Sequence, residues 1–278
     1  MSNPRTLKEW IAFTALSLEG TVASPRREAE LLLRAFYQED SLWILRNDTM
    51  IVEETQRLYE WVMRRAAQEP LEYICNRVSF YSQEFFIQRG ALIPRPETEL
   101  LIEQTLAHVN AHAALNVVEV GIGSGIISIV LAQYLPHARF IGIDISGDAL
   151  AVAQRNIENF GLSDRIELRQ GSLLSCVEEA IDVVVSNPPY VANNAVLEPN
   201  LSYEPNVALF GGSVGDEILQ ELLLEVRQRR IGLLCCEMGY DQKENIEASL
   251  SDFKIQSLEF YKDYSGFDRG FILRLEDE

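Results

Sequence analysis

Apolar side chains near the start of the chain recur at intervals of three and four. They run Leu7, Trp10, Ile11 and Thr14-Ala15, then Ala29, Leu31, Leu32, Leu33 and Phe36, then Leu58, Trp61 and Val62, with Arg65 at the same spacing. Such spacing puts them on one face of a 3.6-residue helix. The second run opens well for a helix: Ser24 can cap it, Pro25 fits its first turn, and Glu28 sits near the positive end of the dipole. Residues 1–75 therefore read as a small helical bundle without a strand. No catalytic constellation falls in it, so its expected role is to bind or position a partner.

The period changes at residue 76. Residues 79–87 are aromatic-rich and favour extended structure, and Arg89-Gly90 supplies a turn, so 76–95 reads as a β-hairpin linker. Pro94 and Pro96 interrupt regular structure before a helix over 97–112. From there strands and helices alternate, with strands at 116–120, 139–143, 165–169, 181–186, 231–237, 255–261 and 270–275. Helices are expected at 126–134, 147–160, 215–230 and 241–250. This βαβ alternation predicts an α/β domain over 96–278, with a mainly parallel sheet covered by helices on both faces.

Composition narrows the class. With 47% hydrophobic and 24% charged residues, the chain of 278 has the make-up of a globular protein and enough length for one large and one small domain. No run approaches ~18 apolar residues, and the first residues lead into an amphipathic pattern, so a cytoplasmic protein without membrane contact is expected. Cys75, Cys176, Cys235 and Cys236 show neither metal-type spacing nor a disulfide framework. A net charge of −18, with no basic cluster beyond Arg26-Arg27, Arg64-Arg65 and Arg229-Arg230, opposes direct nucleic acid binding and suits a protein partner.

Two strand ends carry the candidate chemistry. Glu119-Val120-Gly121-Ile122-Gly123-Ser124-Gly125 turns the first strand of the sheet into its helix; glycines there admit a ligand close to the backbone and to the helix N-terminus. Asp144 closes the next strand, 19 residues after Gly125, where a carboxylate can accept from both ribose hydroxyls of an adenosine. Glu119 tips the choice of cofactor. A carboxylate there helps anchor the cationic amino end of S-adenosylmethionine and would repel the pyrophosphate of a nicotinamide cofactor. Asn187-Pro188-Pro189-Tyr190 follows the fourth strand. Its prolines stiffen the loop, Asn187 adds a side-chain acceptor, and Tyr190 offers a flat face. The Asn187 oxygen and the Pro188 carbonyl together can hold the two N–H groups of a planar amide or amine and aim its nitrogen at an activated methyl.

The order of glycine loop, strand-end Asp144 and Asn187 to Tyr190 resembles the class I methyltransferases of the HemK/PrmC type. Pro70-Leu71-Glu72-Tyr73-Ile74, Phe80-Tyr81 and Leu92-Ile93-Pro94-Arg95-Pro96-Glu97-Thr98-Glu99 sharpen the match. Ser24-Pro25-Arg26 with Ala29-Glu30-Leu31-Leu32 resembles the family's helical N-terminal domain. The resemblance implies a Rossmann-like seven-stranded sheet with its last strand antiparallel. It also implies methylation of the glutamine amide in the Gly-Gly-Gln motif of bacterial-type class I release factors, with S-adenosylhomocysteine as product. Gly121 to Gly125 and Asp144 would hold the cofactor, and Asn187 to Tyr190 the glutamine. The chain departs from the family at Gly171-Ser172-Leu173, where an acidic residue often meets the adenine; here Ser172 would accept a hydrogen bond and Leu173 pack on the ring.

Three alternatives share parts of this pattern. An N6-adenine methyltransferase needs the same two acceptors but fits poorly with the charge of −18 and the lack of a target-recognition domain. A ribosomal-protein glutamine methyltransferase would share the loop, though the segment from Arg95 to Glu99 favours release factors. A non-catalytic cofactor-binding protein would show a ruined site, whereas Asn187 and the glycines are intact. His108 and His112 lie four apart on one expected helix, but with no third ligand they read as solvated residues, as does His137, so no metal is expected. The long connection 191–213 is expected to border the substrate entrance, with Tyr203-Glu204-Pro205 near the site.

Overall fold

In the computed structural model, which describes residues 5–276, five helices precede the first strand: α1 (Leu7–Ser17), α2 (Pro25–Tyr37), α3 (Ser41–Arg46), α4 (Thr55–Ala66) and α5 (Leu71–Cys75). Helices this short are marginal alone and hold through the face they bury. Here that face is Leu7, Trp10, Ala29, Leu32, Leu33, Phe36, Leu58 and Val62. Arg65 ties α4 to α2 through Glu28 at 3.0 Å. Thr6 and Glu9 form a reciprocal capping box on α1. Ser24, expected to cap α2, makes no such bond; Pro25 alone sets that helix start. The helices α3 and α5, of six and five residues, are too short to leave a readable period in the sequence.

The chain forms two compact units. One comprises the residues up to Arg77 together with Glu198–Tyr203; the other comprises Val78–Leu197 and Glu204 onward. A late six-residue segment, the 3-10 turn Pro199–Tyr203 included, thus belongs with the helices, where the Tyr203 hydroxyl donates to the Ala67 carbonyl at 2.6 Å.

Strands β1 (Arg77–Phe80) and β2 (Gln83–Phe86) pair as the expected hairpin, but its turn is Tyr81-Ser82, inside the stretch read as extended. Both residues have positive φ, 51° and 58°, the hand that matches strand twist in a two-residue turn. Glu99 stabilises it by accepting the Tyr81 N–H at 2.8 Å. Arg89-Gly90 forms a separate turn beyond the hairpin. Helix α6 (Thr98–His108) ends four residues before its expected limit: Val109 is extended, and the Arg274 guanidinium donates to the His108 carbonyl. His108 and His112 therefore do not share a helix face, and among the described residues no group of side chains is set to hold a metal.

The alternating region runs β3 (Asn116–Val120), α7 (Ile126–Tyr134), β4 (Arg139–Asp144), α8 (Gly147–Asn159), β5 (Ile166–Gln170) and β6 (Val183–Ser186). Then come β7 (Val191–Ala192), α9 (Asn206–Leu209), β8 (Phe210–Gly212), α10 (Glu217–Gln228), β9 (Leu233–Glu237), α11 (Lys243–Ser249), β10 (Ile255–Lys262) and β11 (Asp268–Leu275). Seven strands form one sheet in the order β10-β11-β9-β6-β3-β4-β5, with β11, the last in sequence, antiparallel to both neighbours. The central strands β3, β6 and β9 are buried on both faces. Val117, Val183, Val185, Leu233 and Cys235 enter one core, and Val118, Val184, Leu234 and Cys236 the other. That explains why these strands read as largely apolar runs without alternation. The adjacent Cys235 and Cys236 are free thiols in opposite cores.

One buried amide ties the hairpin to the glycine loop. Asn156 on α8 accepts from the Phe86 N–H at 2.8 Å and donates to the carbonyls of Phe86 and Ser124 at 2.9 and 2.8 Å. Replacing it strands these backbone groups away from water. Asn156→Ala is expected to lower unfolding free energy by about 3 kcal/mol, read as a reduced urea midpoint with unchanged slope.

Candidate active site

Parallel register sets the floor of the site. Val120 pairs with Ser186, and Ser186 with Cys236, so Gly121, Asn187 and Glu237 stand at one level at the carboxyl ends of β3, β6 and β9. The sheet reverses its winding between β3 and β6, the place where open α/β sheets bind ligands. The Ser186 hydroxyl donates to the Val120 carbonyl at 2.8 Å and binds the two strand ends together.

A cleft of about 270 Å³ opens here. Of the residues singled out in the sequence, Gly121, Gly123, Asp144, Ser172, Leu173, Asn187, Pro188 and Pro189 line it. All three loop glycines have positive φ, and Gly125, at 81°, starts α7 so close to α8 that a Cβ would lie 3.3 Å from that of Ala153. Asp144 holds the loop from below, accepting from the Gly123 N–H through Oδ2 and from the Ser146 N–H through Oδ1, both at 2.9 Å. Each oxygen keeps a further lone pair for a ligand. Burial pushes the Asp144 carboxyl above its ordinary value. Leu173, at φ 49°, is held in the left-handed region and forms wall.

Sequence reasoning missed the apolar part of the wall: Leu92, Ile145, Ala149, Val207, Phe210 and Ile218. Ile145 carried a signal, since a branched residue directly after a strand-end carboxylate has no core to enter, and it stands 54% exposed. The others come from separate elements that only the fold assembles.

Four expected cofactor residues do not reach the cleft. Ile122 is buried in the core, and Ser124 and Gly125 serve the loop's own backbone. Glu119 is 1% exposed, and its Oε2 accepts the Ser128 N–H at 2.8 Å and the Ser128 hydroxyl. Successive strand side chains face opposite sides of the sheet, and Glu119 lies on the side covered by α7 while Val120 lines the cleft, so Glu119 secures the first turn of α7 and offers a ligand no exposed carboxylate.

The loop Asn187 to Tyr190 is clamped on several sides. A Cβ at Gly211 on β8 would lie 2.3 Å from the Pro189 carbonyl oxygen, so only glycine lets β8 run against the loop. The Asn187 Nδ2 donates to Thr98 Oγ1 at 3.1 Å, and Thr98 Oγ1 donates to Glu237 Oε2 at 2.8 Å. The Tyr190 hydroxyl donates to Glu237 Oε1 at 3.4 Å, which turns this side chain away from the cleft wall. Burial and the neighbouring Glu237 push the Tyr190 phenol up to about 12, so it stays neutral. Among the described residues, nothing donates to Asn187 Oδ1 or to the Pro188 carbonyl.

The segment after the hairpin now has separable roles. Arg95 pairs with Glu204 at 2.5 Å, Glu204 also accepts the Ile93 N–H at 3.0 Å, Thr98 backs Asn187, and Glu99 holds the hairpin turn. The connection 191–213 borders the cleft through Val207, Ala208 and Phe210, and contains β7, α9 and β8 where little regular structure was expected. Glu204 lies in the site's frame, whereas Tyr203 belongs to the helical unit.

Burial dominates the charge state of Glu119 and pushes its carboxyl from 4.5 up to about 8, despite the two Ser128 donors. A raised acid binds a proton in the folded chain that the unfolded chain has released. Its contribution is therefore full below 4.5 and is lost as pH rises through 8. Glu119→Gln, which cannot ionise, should flatten this part of the decline in stability, measured as urea midpoints across that pH range.

Residues 9–75 match the PrmC N-terminal domain and residues 96–201 the methyltransferase small domain. The release factor glutamine methyltransferase of Geobacter sulfurreducens is 35% identical over 90% of this chain and 90% of its own length. That of Caulobacter vibrioides is 31% identical over 95% and 94%. Among solved structures, the catalytic domain of human Mettl16 in complex with a 3′UTR hairpin is similar in fold, with a TM-score of 0.57 at 15% identity, covering 81% of this chain and 82% of that one. With such identity across nearly its whole length, the chain belongs to the release factor glutamine methyltransferase family.

Proposed function

We propose that this protein transfers the methyl group of S-adenosylmethionine to the side-chain amide nitrogen (N5) of the glutamine in the Gly-Gly-Gln motif of bacterial-type class I release factors, in the cytoplasm. The observation that carries the reading is the pair of uncommitted acceptors, Asn187 Oδ1 and the Pro188 carbonyl, at the mouth of a cleft suited to an adenosine. Asp144 suits the ribose hydroxyls, the apolar wall of Ile145, Leu173 and Phe210 suits a flat ring, and Gly121 leaves space beside the Asn187 carbonyl. When bound, S-adenosylmethionine supplies an electrophilic methyl on a positively charged sulfur.

An amide nitrogen is a weak nucleophile because its lone pair is shared with the carbonyl. Two acceptors that hold both of its protons fix the plane of the amide and favour positive charge developing on nitrogen. The new N–C bond forms as the S–C bond breaks, and the amide proton leaves to solvent. No strong base is needed. Tyr190 flanks the loop on the side of Glu237, and the helices of residues 1–75 would engage the body of the release factor. The charge of −18 disfavours a nucleic acid substrate.

Incubation with labelled S-adenosylmethionine and, separately, a release factor, a ribosomal protein and DNA tests the assignment. Label is expected on the release factor glutamine; label on DNA alone would reverse it. Asn187→Ala should reduce turnover by at least about 100-fold while cofactor affinity, measured by calorimetry, stays within a few-fold. Turnover close to that of the parent would contradict the role given to Asn187.

A further inference from the structure

A carboxamide has two ends of nearly equal size and opposite hydrogen-bonding sense. Left to itself, Asn187 would present NH2 to the cleft as readily as C=O, and NH2 would face the NH2 of an incoming amide, donor against donor. The groups behind Asn187 remove this choice. The Thr98 hydroxyl has one proton, given to Glu237 Oε2 at 2.8 Å, so toward Asn187 it shows only a lone pair and receives Nδ2 at 3.1 Å. An ionised carboxylate only accepts, so Glu237 dictates the sense of the hydroxyl and the hydroxyl that of the amide.

We propose that Thr98 and Glu237 are positioning residues that lock the Asn187 amide with Oδ1 toward the substrate nitrogen, an inference that rests on the role given to Asn187 above. Neither lines the cleft. Thr98 is 3% exposed and Glu237 fully buried, so Thr98 acts through Asn187, and Glu237 through Thr98 and the Tyr190 hydroxyl that donates to it.

Glu237 faces the Tyr190 phenol from the substrate loop, Arg269 from β11, Glu97 ahead of α6, Tyr261 from β10 and its neighbour Cys236. Arg269 is itself paired with Asp263 at 2.9 Å. Burial pushes the Glu237 carboxyl up to about 7, against the pull of the Thr98 hydroxyl and Arg269. A protonated Glu237 can donate to Thr98. The hydroxyl is then free to turn its own proton toward Asn187, and the flipped amide is accepted. The productive sense therefore belongs to the ionised form and is lost as pH falls through 7.

Thr98→Val keeps the shape and removes the hydroxyl. In the full chain, with a purified release factor as substrate and kcat followed from about pH 5.5 to 9, it should lose about tenfold in kcat. Its acid limb near neutrality should also disappear, and the KM for S-adenosylmethionine should not move. Thr98→Ser should restore both rate and limb. Glu237→Gln, which retains a carbonyl acceptor for Thr98 but cannot ionise, should give a flat profile, and it decides the matter if the valine variant does not fold. A valine variant within twofold of the parent, or one slowed with its acid limb intact, overturns the relay, as does an intact limb in Glu237→Gln. Asn187→Ala separates the two ideas. If it retains parent activity, the reading of Asn187 fails; if it is inactive while Thr98→Val is silent, only the relay falls.

Discussion

Pairing of three parallel strands in one register governs the rest of the site. Because β3, β6 and β9 are locked with Val120 opposite Ser186 and Ser186 opposite Cys236, the glycine loop, the Asn187 loop and Glu237 start side by side. A slip of one residue would turn each apolar run to the wrong face and bury Asn187. The interdigitated cores on both sides of the sheet make such a slip costly, since valines and cysteines alternate between them. Stability and chemistry therefore draw on the same contacts.

The interior also carries three carboxyls near the strand tips, each raised by burial: Glu119, Asp144 and Glu237. They are handled differently. Glu119 is enclosed and spent on the first turn of α7, Asp144 is partly open and braces the glycine loop while facing the cleft, and Glu237 backs the Asn187 loop through Thr98. Of the three, only Asp144 lines the cleft.

Much of this was legible in the amino-acid order because β3, β4 and β6 are largely apolar runs that end at glycine, aspartate and asparagine. Strand positions, the two motif loops and the antiparallel last strand follow from that, or from the family resemblance. What escaped lies where tertiary contacts overrule local pattern. The Tyr81-Ser82 turn adopts a left-handed backbone that neither residue favours, with Glu99 at hand to hold it. Helix α6 stops at His108 where a distant arginine takes the terminal carbonyl. Glu119 stands next to residues that line the cleft, yet its own carboxylate is buried against Ser128. Thr98 was visible as part of a family segment, but its bonds to Asn187 and Glu237 follow only from β9 ending beside β6.

The helical unit is not closed by its own first stretch of chain. Its final piece, Glu198–Tyr203, arrives more than a hundred residues later, after the polypeptide has built most of the sheet, and the backbone then returns to finish it. During synthesis the helices must therefore wait for a latecomer, and no single cut can divide the protein into two complete halves. Severing the chain after Arg77 would deprive the N-terminal fragment of the Tyr203 hydroxyl that meets Ala67. Any transplant of the helical unit onto another protein has to carry that borrowed segment with it.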